Sequence, residues 1–182
     1  MSDPSSPDAD SGPDITSEPG GRWFEEFVPG QVYLSARRTV TETDIVNFAG
    51  LSGDFNPLHT DEVHAIGTPF RGRVAHGLLV QSIASGLANQ MGIFHGTISA
   101  LKGMTIDFTR PVKPGDTIRM RLTVTEIDPK PGARRGGIQF RTEVLNERDE
   151  LVIDGSWSTV INRRSAAGKR RRSTGSIPTT ES

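Results

Sequence analysis

The stretch Leu51-Ser52-Gly53-Asp54-Phe55-Asn56-Pro57-Leu58-His59 sets a carboxylate and an imidazole on either side of a bend. The bend comes from Asn56-Pro57, because a residue preceding proline is pushed out of the helical region. With the turn between them, Asp54 and His59 can face one pocket. A carboxylate and an imidazole sharing one water form a general acid/base arrangement. The same spacing fits a structural Asx-turn carboxylate beside a surface histidine, and spacing alone leaves both open. A second stretch, Gly72-Arg73-Val74-Ala75-His76-Gly77, leads straight into a helical pattern. Backbone N–H groups at a helix start are unpaired and point outward, and the helix dipole suits a developing negative charge there. Gly77 lacks a side chain, which admits a substrate closely or merely relieves crowding. His59, His64 and His76 with Asp54 offer metal-ligating atoms, but their spacing matches no helical His-x-x-x-His pair and no dedicated ligand set. No metal or cofactor is expected.

Elements must hold these residues in place. Trp23, Phe24, Phe27 and Val28 form an apolar cluster, and Gln31 to Val40 reads as a strand. Thr41 can cap a helix, with Asp44 completing an approximate capping box. Ile45, Val46, Phe48 and Ala49 follow at helical spacing, and Gly50 and Gly53 end the segment. Ser52 to His76 is long and irregular between strongly patterned neighbours, which favours a functional segment. Gly77 to Met91 is the best helix, carrying Leu78, Leu79, Ile83, Leu87 and Met91 with small residues between them. A helix apolar or small nearly all round is expected to be buried. Strands follow. Met104, Ile106 and Phe108 alternate with polar residues, as do Ile118 to Val124 and Ile138 to Val144, and a last strand spans Leu151 to Ile161. Alternation of this kind marks half-buried strands. Consecutive strands after helices predict an α+β domain with an antiparallel sheet. Lys130 to Gly137 is expected to be a basic loop.

Composition narrows the field. The chain has 182 residues, no cysteine and a formal net charge of −1. Disulfides, thiolate zinc sites and cysteine nucleophiles are therefore excluded, and a reducing cytoplasm suits the composition. No apolar run approaches the ~18 residues of a membrane helix, and Met1 to Gly21 lacks the features of a secretory signal. Residues 1–21 carry five acids and no Lys or Arg, whereas residues 163–182 carry six bases against Glu181. Both ends are expected to be disordered tails flanking one domain at 22–162. That body is nearly balanced, with 15 bases and 16 acids, so neither nucleic acid nor membrane is an expected partner.

Ser52-Gly53-Asp54-Phe55-Asn56-Pro57-Leu58-His59, followed by Val74-Ala75-His76-Gly77, resembles the hydratase-2 motif of the MaoC-like dehydratases, the (R)-specific enoyl-CoA hydratases. The resemblance covers residues 23–161. It implies a hot-dog fold, an antiparallel sheet wrapped around a long central helix, here Gly77–Met91. It implies a homodimer or higher oligomer with continuous sheets and an acyl-CoA thioester as substrate, coenzyme A being part of that substrate. Asp54 and His59 match the catalytic pair, and Gly77 matches the residue whose amide binds the thioester carbonyl. Asn56, Ser85 and His76 fall at substrate-site positions: Asn56 is the asparagine that shapes the loop, and Ser85 matches a serine lining the site. The implied reaction is reversible hydration of a 2-enoyl-CoA to the (R)-3-hydroxyacyl-CoA. Candidates for the acyl pocket are Phe48, Phe55, Leu58 and Leu79. Arg71, Arg73 and the Lys130–Arg135 loop are candidates for the phosphates. Rival readings are a hot-dog thioesterase, an acyl-carrier-protein dehydratase, a catalytically silent acyl-binding partner and a nucleic-acid binder acting through the basic tail.

Overall fold

Alternation in the second half of the chain builds the sheet. In a computed structural model describing residues 20–130 and 133–164, the strands are β1 (Val32–Leu34), β2 (Arg38–Thr39), β3 (Ile98–Phe108), β4 (Thr117–Asp128), β5 (Arg135–Leu145) and β6 (Leu151–Asn162). The helices are α1 (Glu42–Ser52), α2 (Pro57–Thr60), α3 (Glu62–Ile66) and α4 (Gly77–Gln90). The strand order is β1-β4-β5-β6-β3, with β2 also on β4, and every pairing is antiparallel. Ile118, Met120, Leu122 and Val124 of β4 and Ile138, Phe140, Thr142 and Val144 of β5 are buried, as the period-two pattern predicts. They form one core with Val152, Ile153, Trp157 and Ile161 of β6 and with Leu79, Val80, Ile83, Ala84 and Leu87 of α4. The outer face carries the charges: Arg121 pairs with Glu143, and Arg141 with Glu143 and Asp154. Bulges in the β3–β6 and β4–β5 ladders bend the sheet. This is the hot-dog arrangement.

The first helix begins where Thr41 and Asp44 suggest. The Asp44 N–H donates to Thr41 Oγ1 at 3.1 Å and the Thr41 N–H to Asp44 Oδ2 at 2.9 Å. The helix runs through Gly50 and ends at Gly53, whose φ of 77° is left-handed and costs glycine little.

Four expectations are corrected. Gln31 to Val40 is not one strand. It breaks at Ser35, whose hydroxyl accepts the Met120 N–H at 2.9 Å in place of a backbone carbonyl. The segment 52–76 holds the two short helices α2 and α3, too brief to show a period. Helix α4 is not covered all round. Leu78, Ser82, Ser85, Gly86 and Asn89 are exposed, because a single chain's sheet covers only one side of it. The expected loop 130–137 already joins β5 at Arg135. Strand β3 starts at Ile98, well before its alternation becomes visible, and most of it is open on both faces.

The tails expected at 1–21 and 163–182 fall largely at residues 1–19 and 165–182, outside the described residues. Gly21 donates its N–H to His95 O at 3.0 Å. The Arg163 guanidinium lies 4.4 Å from the Phe24 ring centroid.

Candidate active site

Chain direction after α1 is set one hydrogen bond at a time. Left-handed Gly53 turns the backbone out of the helix. The Asp54 N–H then donates to Ser52 Oγ and the Asn56 N–H to Asp54 Oδ1, each at 3.2 Å. The Leu58 N–H donates to Asn56 Oδ1 at 3.0 Å, and Pro57 occupies the first turn of α2, a position where its missing N–H is no loss. His59 is therefore carried on α2, facing back toward the chain that enters α4. Its Nδ1 lies 2.7 Å from Val74 O. A carbonyl only accepts, so Nδ1 bears the proton and Nε2 presents a lone pair.

His76 immediately precedes α4 and is buried. Its Nε2 is 2.9 Å from Asp54 O, so Nε2–H is the donor. The His76 ring stacks on His59, with centroids 3.8 Å apart and planes at 28°. Phe48 of α1 lies against it, with ring centroids 5.1 Å apart. Behind this group, Arg73 bridges Glu42 of α1 and Glu62 of α3. The bond from Arg73 holds the Glu62 carboxyl below its ordinary range, and the bridge ties α1 and α3 to the segment that enters α4.

Asp54, His59 and His76 each place a ligating atom within 4.8 Å of the others, and no ion was expected there. The stacked rings bear on what this trio can hold. Imidazole lone pairs lie in the ring plane, and two face-to-face rings send theirs nearly side by side. An ion ~2.1 Å from both nitrogens would sit well out of at least one plane. The arrangement suits proton handling better than ligation.

His59 and Gly77 border a cavity of about 400 Å³ whose lining includes Leu58, Phe70, Val74 and Val80 with Phe108, Val112, Val152 and Ile153 from the sheet side. Gly77 is the first residue of α4, so its N–H has no partner one turn earlier in the helix. A Cβ at Gly77 would lie 2.6–2.9 Å from the Phe108 ring. The glycine thus permits an aromatic ring to close over the helix start.

Of the residues singled out in the sequence, His59 and Gly77 line this cavity. Asp54 joins them through the cluster and is exposed in the single chain. Asn56 and His76 shape the loop and do not border the cavity, and Ser85 stands on the open face of α4. Among the apolar candidates Leu58 lines the cavity. Leu79 belongs to the core, Phe48 packs on His76 and Phe55 is exposed. Phe70, Phe108, Arg110, Val152 and Ile153 were not anticipated, since they reach the site only through sheet pairing and loop return. Phe108, the last apolar point of its alternating run, was the one with a visible signal.

A bent antiparallel sheet around α4, with a carboxylate and an imidazole before that helix and a glycine amide at its start, defines a hot-dog protein. Residues 25–144 match the model of the MaoC like domain, and the chain belongs to the MaoC-like dehydratase family. It is 33% identical over 142 residues to an (R)-specific enoyl-CoA hydratase of Rhodospirillum rubrum, spanning 78% of this chain and 93% of that one. It is 47% identical over 106 residues to the protein MaoC of Klebsiella aerogenes, covering 58% of this chain but 31% of that longer protein. The structure of R-hydratase PhaJ1 from Pseudomonas aeruginosa superposes with a TM-score of 0.67 at 34% identity, over 78% of this chain and 86% of the other.

Proposed function

We propose that this protein is a hydro-lyase that reversibly hydrates a 2-enoyl-CoA to a 3-hydroxyacyl-CoA, with (R) configuration as in the enzymes named for that product. The observation that carries this reading is the joint placement of His59 and the Gly77 amide on one apolar cavity, with Asp54 within reach of His59. Water is a weak nucleophile and the β-carbon a modest electrophile, so both need help. Asp54 takes one proton from the water while the His59 Nε2 lone pair accepts a hydrogen bond from its second hydrogen. The water oxygen bonds to the β-carbon, and the π electrons shift to the thioester oxygen, where the Gly77 amide stabilises the enolate. The proton then passes to the α-carbon, directly or through His59, and both side chains return to their starting states. One acid/base group is worth ~10²–10⁴-fold in rate and one oxyanion donor ~10²–10³-fold.

The acyl end fits the apolar lining. For the phosphates, Arg73 is committed to Glu42 and Glu62, and Lys130, Arg134 and Arg135 line a separate hollow with Lys102 and Gln139. Arg110 borders the catalytic cavity, and Lys113 reaches the Arg71 carbonyl at 3.5 Å, next to Phe70 of the lining. Arg110 and Lys113 are the cations that suit the anionic end of coenzyme A. A second copy of the chain would cover the open edge of β3, where Leu101, Met104 and Phe108 are exposed, and the open face of α4.

The test is loss of enoyl-thioester absorbance when crotonyl-CoA and longer 2-enoyl-CoA esters are added. Wild type should consume at least one of them. Asp54→Asn and His59→Gln should each lower kcat by ~10²–10⁴-fold with unchanged circular dichroism. Wild-type activity in either variant would refute these roles for Asp54 and His59.

A further inference from the structure

His76 has a buried ring that does not line the cavity of His59 and Gly77, yet it touches both halves of the proposed acid/base pair. Its Nε2–H is given to the carbonyl of Asp54 at 2.9 Å. Its face lies 3.8 Å from that of His59. Phe48 of α1 also lies against it, with ring centroids 5.1 Å apart, and among the described residues its Nδ1 is buried without a hydrogen-bond partner. A buried acceptor left unpaired costs free energy, and such costs persist where the surroundings impose them for another reason. Here the ring is oriented at Nε2 by the Asp54 carbonyl and on one face by His59, and Phe48 packs against it.

We infer that His76 is a positioning residue for the proposed hydration: it holds the Asp54 backbone through Nε2–H and sets the plane of the His59 ring by stacking. The inference rests on that proposed reaction. His59 is tied at Nδ1 to Val74 O, which fixes one point of its ring and leaves it free to swing about that bond. The His76 face removes the swing, so Nε2 stays aimed at the shared water. Asp54 follows a left-handed glycine and is exposed. Its main chain is held by Ser52 Oγ on one side and by His76 on the other. The titratable groups that meet His76 are Asp54 from the loop and His59 from α2, while α1 presents the neutral Phe48.

Two substitutions separate the contacts. His76→Gln can place an amide N–H near the position of Nε2 and keeps the tie to Asp54 without the stacked ring. His76→Phe keeps a flat ring against His59 and gives up the donor. Misplacing reacting groups by about 1 Å costs ~10²-fold in rate. Each variant should therefore lose at least tenfold in kcat with KM changed less than threefold, because His76 does not border the cavity. Melting temperatures of both variants accompany the kinetics. A wild-type kcat in both, or a rise in KM matching the fall in kcat, would overturn the inference. If the variants do not fold, nitrogen-15 imidazole spectra of the wild-type protein decide. Nε2 of His76 should be the protonated, pyrrole-type nitrogen and Nδ1 the bare, pyridine-type one, and the reverse pattern would overturn the inference. That spectrum needs no turnover. An inactive wild type with the expected tautomer would sink the proposed reaction while leaving His76 as the anchor of this loop.

Discussion

Gly77 is where residue-scale geometry is tightest. The Phe108 ring occupies the space that a side chain at 77 would need, so Gly77→Ala must displace the ring, the helix start or both. The amide would move away from the thioester oxygen, and kcat should fall toward the ~10²-fold expected for losing one oxyanion donor. Adding Phe108→Ala removes the obstacle. Steady-state kinetics of the double variant should recover at least part of the loss, a non-additivity expected of residues in contact. A double variant as poor as Gly77→Ala would mean that the glycine is needed for something other than the ring's approach.

At the scale of elements, the irregular segment is held by short polar devices in place of a long hydrophobic face. Thr41 and Asp44 start α1, Asn56 starts α2 and Asp61 starts α3. Burial pushes the Asp44 carboxyl up, but the bonds from Thr41 and the nearby Arg38 outweigh it and leave it below its ordinary value. The Arg73 bridge lowers Glu62 as well. Carboxylates depressed in the folded state contribute stability above their unfolded pKa, ~4, and that contribution is lost as pH falls through the folded value. Thermal stability should therefore decline as pH drops from about 5 to 3. Thr41→Ala should cost ~1 kcal/mol at pH 7, about 3 °C in melting temperature for a domain of this size. The variant should lose less than wild type on acidification, because part of what acid removes is already gone. Parallel melting curves from pH 7 to pH 3 would contradict that account.

For the whole molecule, the open edge is the dominant fact. Strand β3 has eleven residues and, among the described residues, pairs on one side only, with Leu101, Met104 and Phe108 exposed. Long apolar edges invite another strand. Asp54 and the small-residue face of α4 are open on the same single chain. A dimer joined at β3 is therefore expected in solution, and light scattering should report twice the chain mass. Met104→Glu places a charge on that edge and should shift the mass to the monomer, with activity falling at least tenfold as the site loses cover. A monomeric Met104→Glu with full turnover would show that one chain makes a complete site.

Much was legible from the chain alone. Period-two alternation marks β4 and β5 because half-buried strands must alternate, and the capping residues mark α1 because unpaired helix amides need acceptors. Asp54 and His59 stand out because Asn56-Pro57 forces a bend between two chemically active groups. Other features were hidden for a common reason. Ile98 to Gly103 lies in a strand open on both faces, so nothing imposed a pattern on it. The open face of α4 looked buried because small residues fit a covered helix as well as one awaiting a partner. The cavity's far wall, from Phe108 to Ile153, and the stacking of His76 on His59 join positions far apart in the chain. Sequence determined which groups are available and which local bends and caps they form. Tertiary structure decided which of them meet, because side-chain contacts across sheet and helix depend on packing that no local pattern encodes.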